Sequence, residues 1–206
     1  MRIRLGSLEP DHITDDIIDG MAKYEKFCPQ FHISLQSGCD KTLKEMNRHY
    51  NSGEFKQLCD KLRAAFPDAT LTTDVMVGFN NESEEDFKQS LKFVKQINFE
   101  KVHVFPYSER EGTVASKKGD NVPRAEKERR AAIMIEQTNN QRIAYFNSLI
   151  GTTQKVLFEA KTKDSYYQGY TKNYIPVKAM FDTDVIGKEL EVTIKAVDDK
   201  EDCCLA

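Results

Sequence analysis
The sequence predicts an α/β fold: parallel strand–helix units over residues 1–115, a connecting basic helix over 116–149 and a small antiparallel β-barrel over 150–206. Three observations predict it. Short apolar runs alternate with helically spaced segments at intervals of roughly 30 to 40 residues, because a parallel neighbour needs a crossover long enough to hold a helix. An unbroken helical pattern then follows Pro123, and after Gly151 the texture changes to short β-type runs separated by Asp, Gly and Asn turns.

The first half supplies four strand candidates: RIRL (Arg2–Leu5), FHISL (Phe31–Leu35), TLTTDVMV (Thr70–Val77) and KVHVF (Lys101–Phe105). Between the second and third, Phe55, Leu58, Cys59, Leu62 and Phe66 recur on one helical face, and Pro67-Asp68 ends the segment. Ser83 followed by Glu84, Glu85 and Asp86 predicts a capping box, with the hydroxyl accepting from the third helical N–H and the acids complementing the positive helix end. The same charges repel phosphate, so no anion site is expected there. RIRL follows Met1 at once, so the pattern opens in progress, as in the C-terminal part of a longer sheet. Self-association is expected at the strand edge this leaves at Arg2.

Pro123 suits the first turn of a helix running to about Leu149. From Lys117 to Arg142 seven basic residues stand against four acids, a local +3. This reads either as a solvated face or as a strip facing phosphate, with Arg129 and Arg130 as RNA-binding candidates. TQKVLFE, SYYQGYTK, NYIPVKAM and ELEVTIKAV then give four or five short strands, whose closure into a barrel removes exposed edges. Tyr170 and its neighbours Tyr166, Tyr167 and Tyr174 are either buried barrel aromatics or stacking platforms for bases. Residues 150–206 hold eight Lys against ten Asp plus Glu, so RNA affinity from the barrel alone is expected to be weak and salt-sensitive.

The chain has 206 residues, 39% hydrophobic, and a net charge of −3, which allows a sizeable core and does not by itself demand nucleic acid. No stretch reaches the ~20 apolar residues of a membrane span. Five cysteines without a secretory segment predict a reduced, cytoplasmic chain with no disulfide framework. The four histidines share no metal-ligand spacing with one another or with cysteine, so no metal site is expected; His32 and His103 alternate with apolar strand residues and read as core or lining side chains. A phosphate loop, a nucleophile elbow and a kinase signature are all missing.

In parallel α/β folds ligands sit beyond the carboxyl ends of the strands. Those ends carry Glu9 (in SLEP), Gln36 (in LQSGCD), Asp74 (in TTDVMVGF), and Tyr107 and Arg110 (in FPYSER). Glu9 reads as a loop acid or a ligand group, Gln36 as part of a turn into a helix capped by Asp40 or as a donor. Arg48 either complements a helix end or grips an anion. Asp74 opens an apolar run, where an unpartnered carboxylate is costly.

Taken in order, SLEP, HISLQSGCDKTLKEMNR, TTDVMVGFNNESEEDF and HVFPYSEREGTVA resemble the radical S-adenosylmethionine methylthiotransferases, and the segment with GYTKNYIPV resembles that family's RNA-binding TRAM domain. The resemblance covers nearly the whole chain. It implies that residues 1–115 are the C-terminal portion of a partial (βα) barrel, and that the parent enzyme methylthiolates C2 of a hypermodified adenosine at position 37 of tRNA. SLEP, LQSGCD and HVFPYS are more similar to the threonylcarbamoyladenosine branch; the isopentenyladenosine branch, the ribosomal-protein branch and a non-catalytic RNA-binding module are the alternatives. By resemblance, Glu9 meets the amino group of S-adenosylmethionine and Arg48 its carboxylate, while Gln36 and Asp74 meet its ribose or nearby polar atoms. Tyr107 and Arg110 would face the substrate.

The family's Cys-x-x-x-Cys-x-x-Cys loop, which holds a [4Fe-4S] cluster, has no counterpart in these 206 residues, nor has the domain bearing a second cluster. The expectation is a C-terminal fragment with an added initiator Met1, inactive alone. Asn80-Asn81 stands where the family tends to have Pro-Gly, which predicts a loosened turn after Phe79.

Overall fold
The computed structural model describes residues 1–206. Its first part is a four-stranded parallel sheet built from β1 (Ser7–Leu8), β2 (Gln30–Ile33), β3 (Thr70–Val77) and β4 (Lys101–Pro106), in that spatial order. The crossovers hold α1 (Asp15–Ala22), α2 (Asp40–Glu45), α3 (Ser52–Ala65) and α4 (Glu84–Ile97). RIRL is not a strand. Ile3 makes only an isolated parallel bridge to Phe27, and Arg2 turns away to Glu189 at 2.8 Å and to the Tyr170 and Lys155 carbonyls. The edge strand is therefore the two-residue β1, and RIRL's alternating charge serves contacts with the second part of the chain.

Alternation along the strands separates two faces. Phe31, Ile33, Leu35, Leu71, Val75 and Val77 are at most 1% exposed and pack with Phe55, Leu62, Phe87 and Val94 of the helices into one core. The intervening residues, Gln30, His32, Thr72, Asp74, Lys101 and His103, are polar. A parallel sheet covered by helices on both faces reads as continuously apolar, so a polar alternate face marks the lining of a cavity.

The local signals explain the helices. α4 has the expected capping box, with Ser83 Oγ accepting from Asp86 N–H at 3.1 Å and Asp86 Oδ2 from Ser83 N–H at 2.9 Å. Asp40, by contrast, is not the cap of α2; Cys39 holds that position, and Asp40 Oδ1 accepts from Ser52 N–H at 2.7 Å at the start of α3. At Gly38, an added Cβ would lie 2.7 Å from Phe93 Cβ and 2.9 Å from the Ser90 carbonyl, so glycine lets α4 approach the loop between β2 and α2.

Helix α5 (Arg124–Ser148) packs Ala131 and Met134 into the first core and Phe146 into a second one. That second core fills a six-stranded sheet of β5 (Thr153–Lys161), β6 (Tyr167–Thr171), β7 (Pro176–Ala179), β8 (Glu189–Thr193), β9 (Ala196–Asp198) and β10 (Cys203–Leu205). The two end strands, β8 and β9, are halves of the one run ELEVTIKAVD, pairing with β5 and β10 respectively, so the bent run closes the barrel. The β10–β7 pair is parallel, which departs from a wholly antiparallel barrel.

Candidate functional site
The carboxyl ends of the strands position the first candidates. Pro10 opens a short 3₁₀ turn (Pro10–His12) just after β1 and holds Glu9 in extended backbone. Beyond α2, Asn47 takes a left-handed conformation (φ 58°) and turns the chain so that Arg48 N–H returns to the Leu43 carbonyl. The two side chains meet in the open: Arg48 Nη1 donates to Glu9 Oε2 at 3.1 Å, and 29% and 43% of the respective side chains remain exposed. Below them Tyr50 Oη donates to the Ser34 and Leu35 carbonyls at 2.6 and 3.1 Å. Burial pushes its pKa up to about 12, so it stays a neutral prop. An exposed guanidinium beside an exposed carboxylate complements the two charged ends of an amino acid.

Gln36 follows Leu35 directly and has φ 64°, a strained value for a residue with a side chain. Its backbone is fixed by two bonds to β3, its N–H donating to the Asp74 carbonyl at 2.9 Å and its carbonyl accepting from Met76 N–H at 2.8 Å. Gln36 and Asp74 thus join two strand ends.

The Asp74 side chain points to the polar face, where the sequence reading expected no cluster. His32 is directly opposite Thr72, and Asp74 directly opposite His103. His32 Nε2 lies 3.3 Å from Asp74 Oδ2, and its Nδ1 lies 3.0 Å from Thr72 Oγ1, which also accepts from Gln30 Nε2 at 3.0 Å. Ligand atoms of His32, Asp74 and His103 all lie within 4.8 Å of one another. Partial desolvation in the sheet lowers the His103 pKa, although the residue keeps an exposed surface, and the Asp74 carboxylate pulls it back up. The histidines are therefore neither core residues nor isolated. Reading every second residue of the three strands as one face is the signal that finds them.

Other candidates fall elsewhere. Tyr107 is 7% exposed and packed edge-on to Phe79 at 5.0 Å, with Lys127 Nζ on its carbonyl; it stands in the wall and does not face a mouth. Arg110 is exposed in the loop after β4. The turn after Phe79 is anchored, contrary to the loosening expected from Asn80-Asn81. Asn81 supplies the positive φ (58°), Glu82 N–H closes on the Phe79 carbonyl at 2.9 Å, and Asn80 Nδ2 donates to the Ala115 carbonyl at 2.6 Å.

The basic helix turns most of its cations inward. Arg130 is 4% exposed and binds Glu82 and Glu126, each at 2.8 Å, so it presents no charge to a phosphate. Arg142 is buried against Glu100 and Asp202, and Lys127 against Asp120. Arg129 is on the surface, paired with Glu84 and Glu126. Tyr170 is stacked at 4.3 Å on Tyr174, which carries Arg4 on its ring at 3.8 Å. Both tyrosines line a cavity of about 550 Å³ that also holds His32, Thr72 and His103. A larger cleft of about 640 Å³ runs along the seam between Thr70 at the start of β3 and the barrel residues Thr153–Lys155, away from Glu9 and Arg48.

The cysteines do not suit an iron–sulfur cluster. All five are buried and free, and burial pushes the thiols of Cys59, Cys203 and Cys204 up to about 12, 11 and 12. Cys203 and Cys204 are adjacent on a strand and so point to opposite faces. The grouping of His32, Asp74 and His103 contains no cysteine.

Known proteins resemble the chain along most of its length. The model of the radical SAM superfamily matches residues 3–94. The chain is 42% identical to the tRNA-2-methylthio-N(6)-dimethylallyladenosine synthase of Endomicrobium trichonymphae over 94% of its own length and 46% of the relative's. It is 35% identical to the threonylcarbamoyladenosine tRNA methylthiotransferase MtaB of Thermotoga maritima over 97% of its own length and 45% of the relative's. It therefore spans a little under half the length of the curated relatives it matches. Among solved structures, coproporphyrinogen III oxidase (HemN) from Escherichia coli, a radical SAM enzyme, superposes with a TM-score of 0.50 at 15% identity, covering 83% of this chain and 46% of that one. This supports the fold alone.

Proposed function
Because the chain belongs to the radical S-adenosylmethionine methylthiotransferase family, we propose that it is the part of a tRNA-modifying enzyme that grips the amino-acid end of S-adenosylmethionine and carries the RNA-facing barrel. The observation that carries this reading is the exposed Glu9–Arg48 pair at the carboxyl end of a parallel sheet. The ligand carboxylate takes the Arg48 guanidinium in bidentate fashion, and the ligand ammonium takes Glu9. Asp74 keeps Oδ2 on His32 and offers Oδ1 to a ribose hydroxyl, with Gln36 beside it. The cofactor supplies a radical when its sulfonium is reduced at an iron–sulfur cluster. The cysteines of this chain do not suit such a cluster, so its ligands are proposed to lie outside these 206 residues, and the chain alone is proposed to be inactive.

The substrate class is an N6-modified adenosine of tRNA. Relatives carry names from both the dimethylallyladenosine and the threonylcarbamoyladenosine branches; SLEP, LQSGCD and HVFPYS favour the second. RNA contact falls to Arg129, Arg110 and the Tyr170–Tyr174 stack, where an unpaired base finds an aromatic face. In cells lacking the full-length protein, mass spectrometry of digested tRNA is expected to show loss of one 2-methylthio nucleoside and accumulation of N6-threonylcarbamoyladenosine. Accumulation of the dimethylallyl precursor moves the substrate to the other branch, and an unchanged nucleoside profile refutes the function. Reconstituted with iron and sulfide, the 206-residue chain is expected to release no 5′-deoxyadenosine; its release would refute the inactivity.

A further inference from the structure
The geometry points to a divalent transition-metal site formed by His32, Asp74 and His103 on the polar face of the parallel sheet. Two imidazoles and one carboxylate are a donor set that suits Zn²⁺, Co²⁺ or Fe²⁺ and leaves coordination positions open. Three adjacent strands deliver them: His103 stands opposite Asp74 in register, and His32 lies on the diagonal two residues back. Across a tetrahedral ion with bonds of 2.0–2.1 Å, ligand atoms are about 3.3 Å apart. The His32 Nε2–Asp74 Oδ2 separation is 3.3 Å already, and all three ligand atoms lie within 4.8 Å. Closing the remaining edges needs a movement only of His103, whose ring is exposed and 5.9 Å from that of His32 between centroids.

A second observation concerns the other side of the His32 ring. Metal-bound histidines have their second nitrogen held by a polar partner, which fixes the tautomer. Here Nδ1 lies 3.0 Å from Thr72 Oγ1, and that hydroxyl also accepts from Gln30 Nε2 at 3.0 Å. A hydroxyl has one donor and two lone pairs. With one lone pair on Gln30, it can either donate to Nδ1, leaving Nε2–H on Asp74, or accept from Nδ1–H, freeing the Nε2 lone pair for a metal. Shift of the ring proton from Nε2 to Nδ1, with rotation of one hydroxyl, therefore prepares the ligand: the bond to Thr72 is kept with its direction reversed, and the Nε2–H bond to Asp74 is exchanged for the metal. The open positions face the cavity of about 550 Å³ bounded by Tyr170, Tyr174 and Lys101, where water or a small exogenous donor completes the coordination.

The site goes beyond the cofactor reading and shares only Asp74 with it. Titration of the chelator-treated chain with Co²⁺, followed by visible absorption and calorimetry, is expected to show one saturable equivalent with a ligand-field spectrum of nitrogen and oxygen donors. His103→Ala, at an exposed position, and His32→Ala should each weaken binding by more than about 100-fold, with far-ultraviolet circular dichroism and Tm showing that each variant is folded. Thr72→Val should weaken it by about 10- to 100-fold, as loss of an orienting partner does. Glu9→Gln should leave Co²⁺ binding unchanged while weakening S-adenosylmethionine binding about 10- to 150-fold, so the two readings fail separately. No saturable binding, a thiolate charge-transfer spectrum, or binding that survives in the double variant His32→Ala, His103→Ala overturns the site.

Discussion
Replacing Arg130 by Met should unfold the anchored turn behind the candidate site without affecting RNA contact. Arg130 Nη1 donates at 2.8 Å both to Glu82 Oε2 and to the Glu82 carbonyl, and Nε donates to Glu126 Oε1 at 2.8 Å. The Glu82 side chain is 1% exposed. Its remaining donor is Gly78 N–H at 2.6 Å, and its other oxygen has no partner. Burial already raises the Glu82 pKa, with the Gly78 N–H and Arg130 pulling it back. Removing Arg130 leaves this carboxylate uncompensated, and breaking a buried pair from one side costs about 3–5 kcal/mol. For a chain of this size that is a fall of about 6–20 °C in Tm. The assay is thermal and urea unfolding of Arg130→Met, Glu82→Gln and the double variant. The double variant should recover most of the loss, because no charge is left buried. A shift of Arg130→Met below about 2 °C, or strictly additive single effects, would refute the clamp.

Further outcomes follow from the same geometry. Glu100, packed against Arg142, has its pKa raised to about 7, first by burial, with Arg142 and Lys101 opposing. A raised carboxyl binds its proton more tightly when folded, so its contribution is full below about 4.5 and is lost as pH rises through about 7. Urea midpoints should fall more steeply across that window in the wild type than in Glu100→Gln; equal slopes would refute the assignment. Gly38→Ala should cost about 1–3 kcal/mol in urea unfolding, since its Cβ meets Phe93 and the Ser90 carbonyl; a loss under about 0.5 kcal/mol would show that α4 can retreat. In tRNA binding against salt, Arg129→Ala should lower the slope by about one, and Arg130→Met should leave it unchanged, because a buried guanidinium releases no counterion.

Strand β3 and helix α4 were legible because their signals are local. Thr70–Val77 is a run of β-branched and apolar residues broken only by Asp74, and Ser83 and Asp86 form their capping box within one turn. The role of Arg2–Leu5 was not legible, because Arg2 finds Glu189 and the Tyr170 carbonyl far along the chain. The same holds for Arg130: along the chain its neighbours form a basic strip, whereas Glu82 neutralises it from another element. Tyr107 looked like a strand-end ligand until Phe79 and Lys127 closed over it. The Glu9–Arg48 pair could be anticipated as two ligand candidates, but their meeting depends on the left-handed turn at Asn47. The histidine pair was hidden because metal-ligand spacing in sequence does not register neighbours across parallel strands.

The claim that this chain holds the amino-acid end of S-adenosylmethionine is tested most directly by calorimetric titration of the 206-residue protein with that cofactor. The account predicts a single saturable site, weakened about 10- to 150-fold by Arg48→Ala and by Glu9→Gln, as expected for loss of one charge-assisted contact of about 1.5–3 kcal/mol. Absence of saturable binding, or unchanged affinity in both variants, would contradict it.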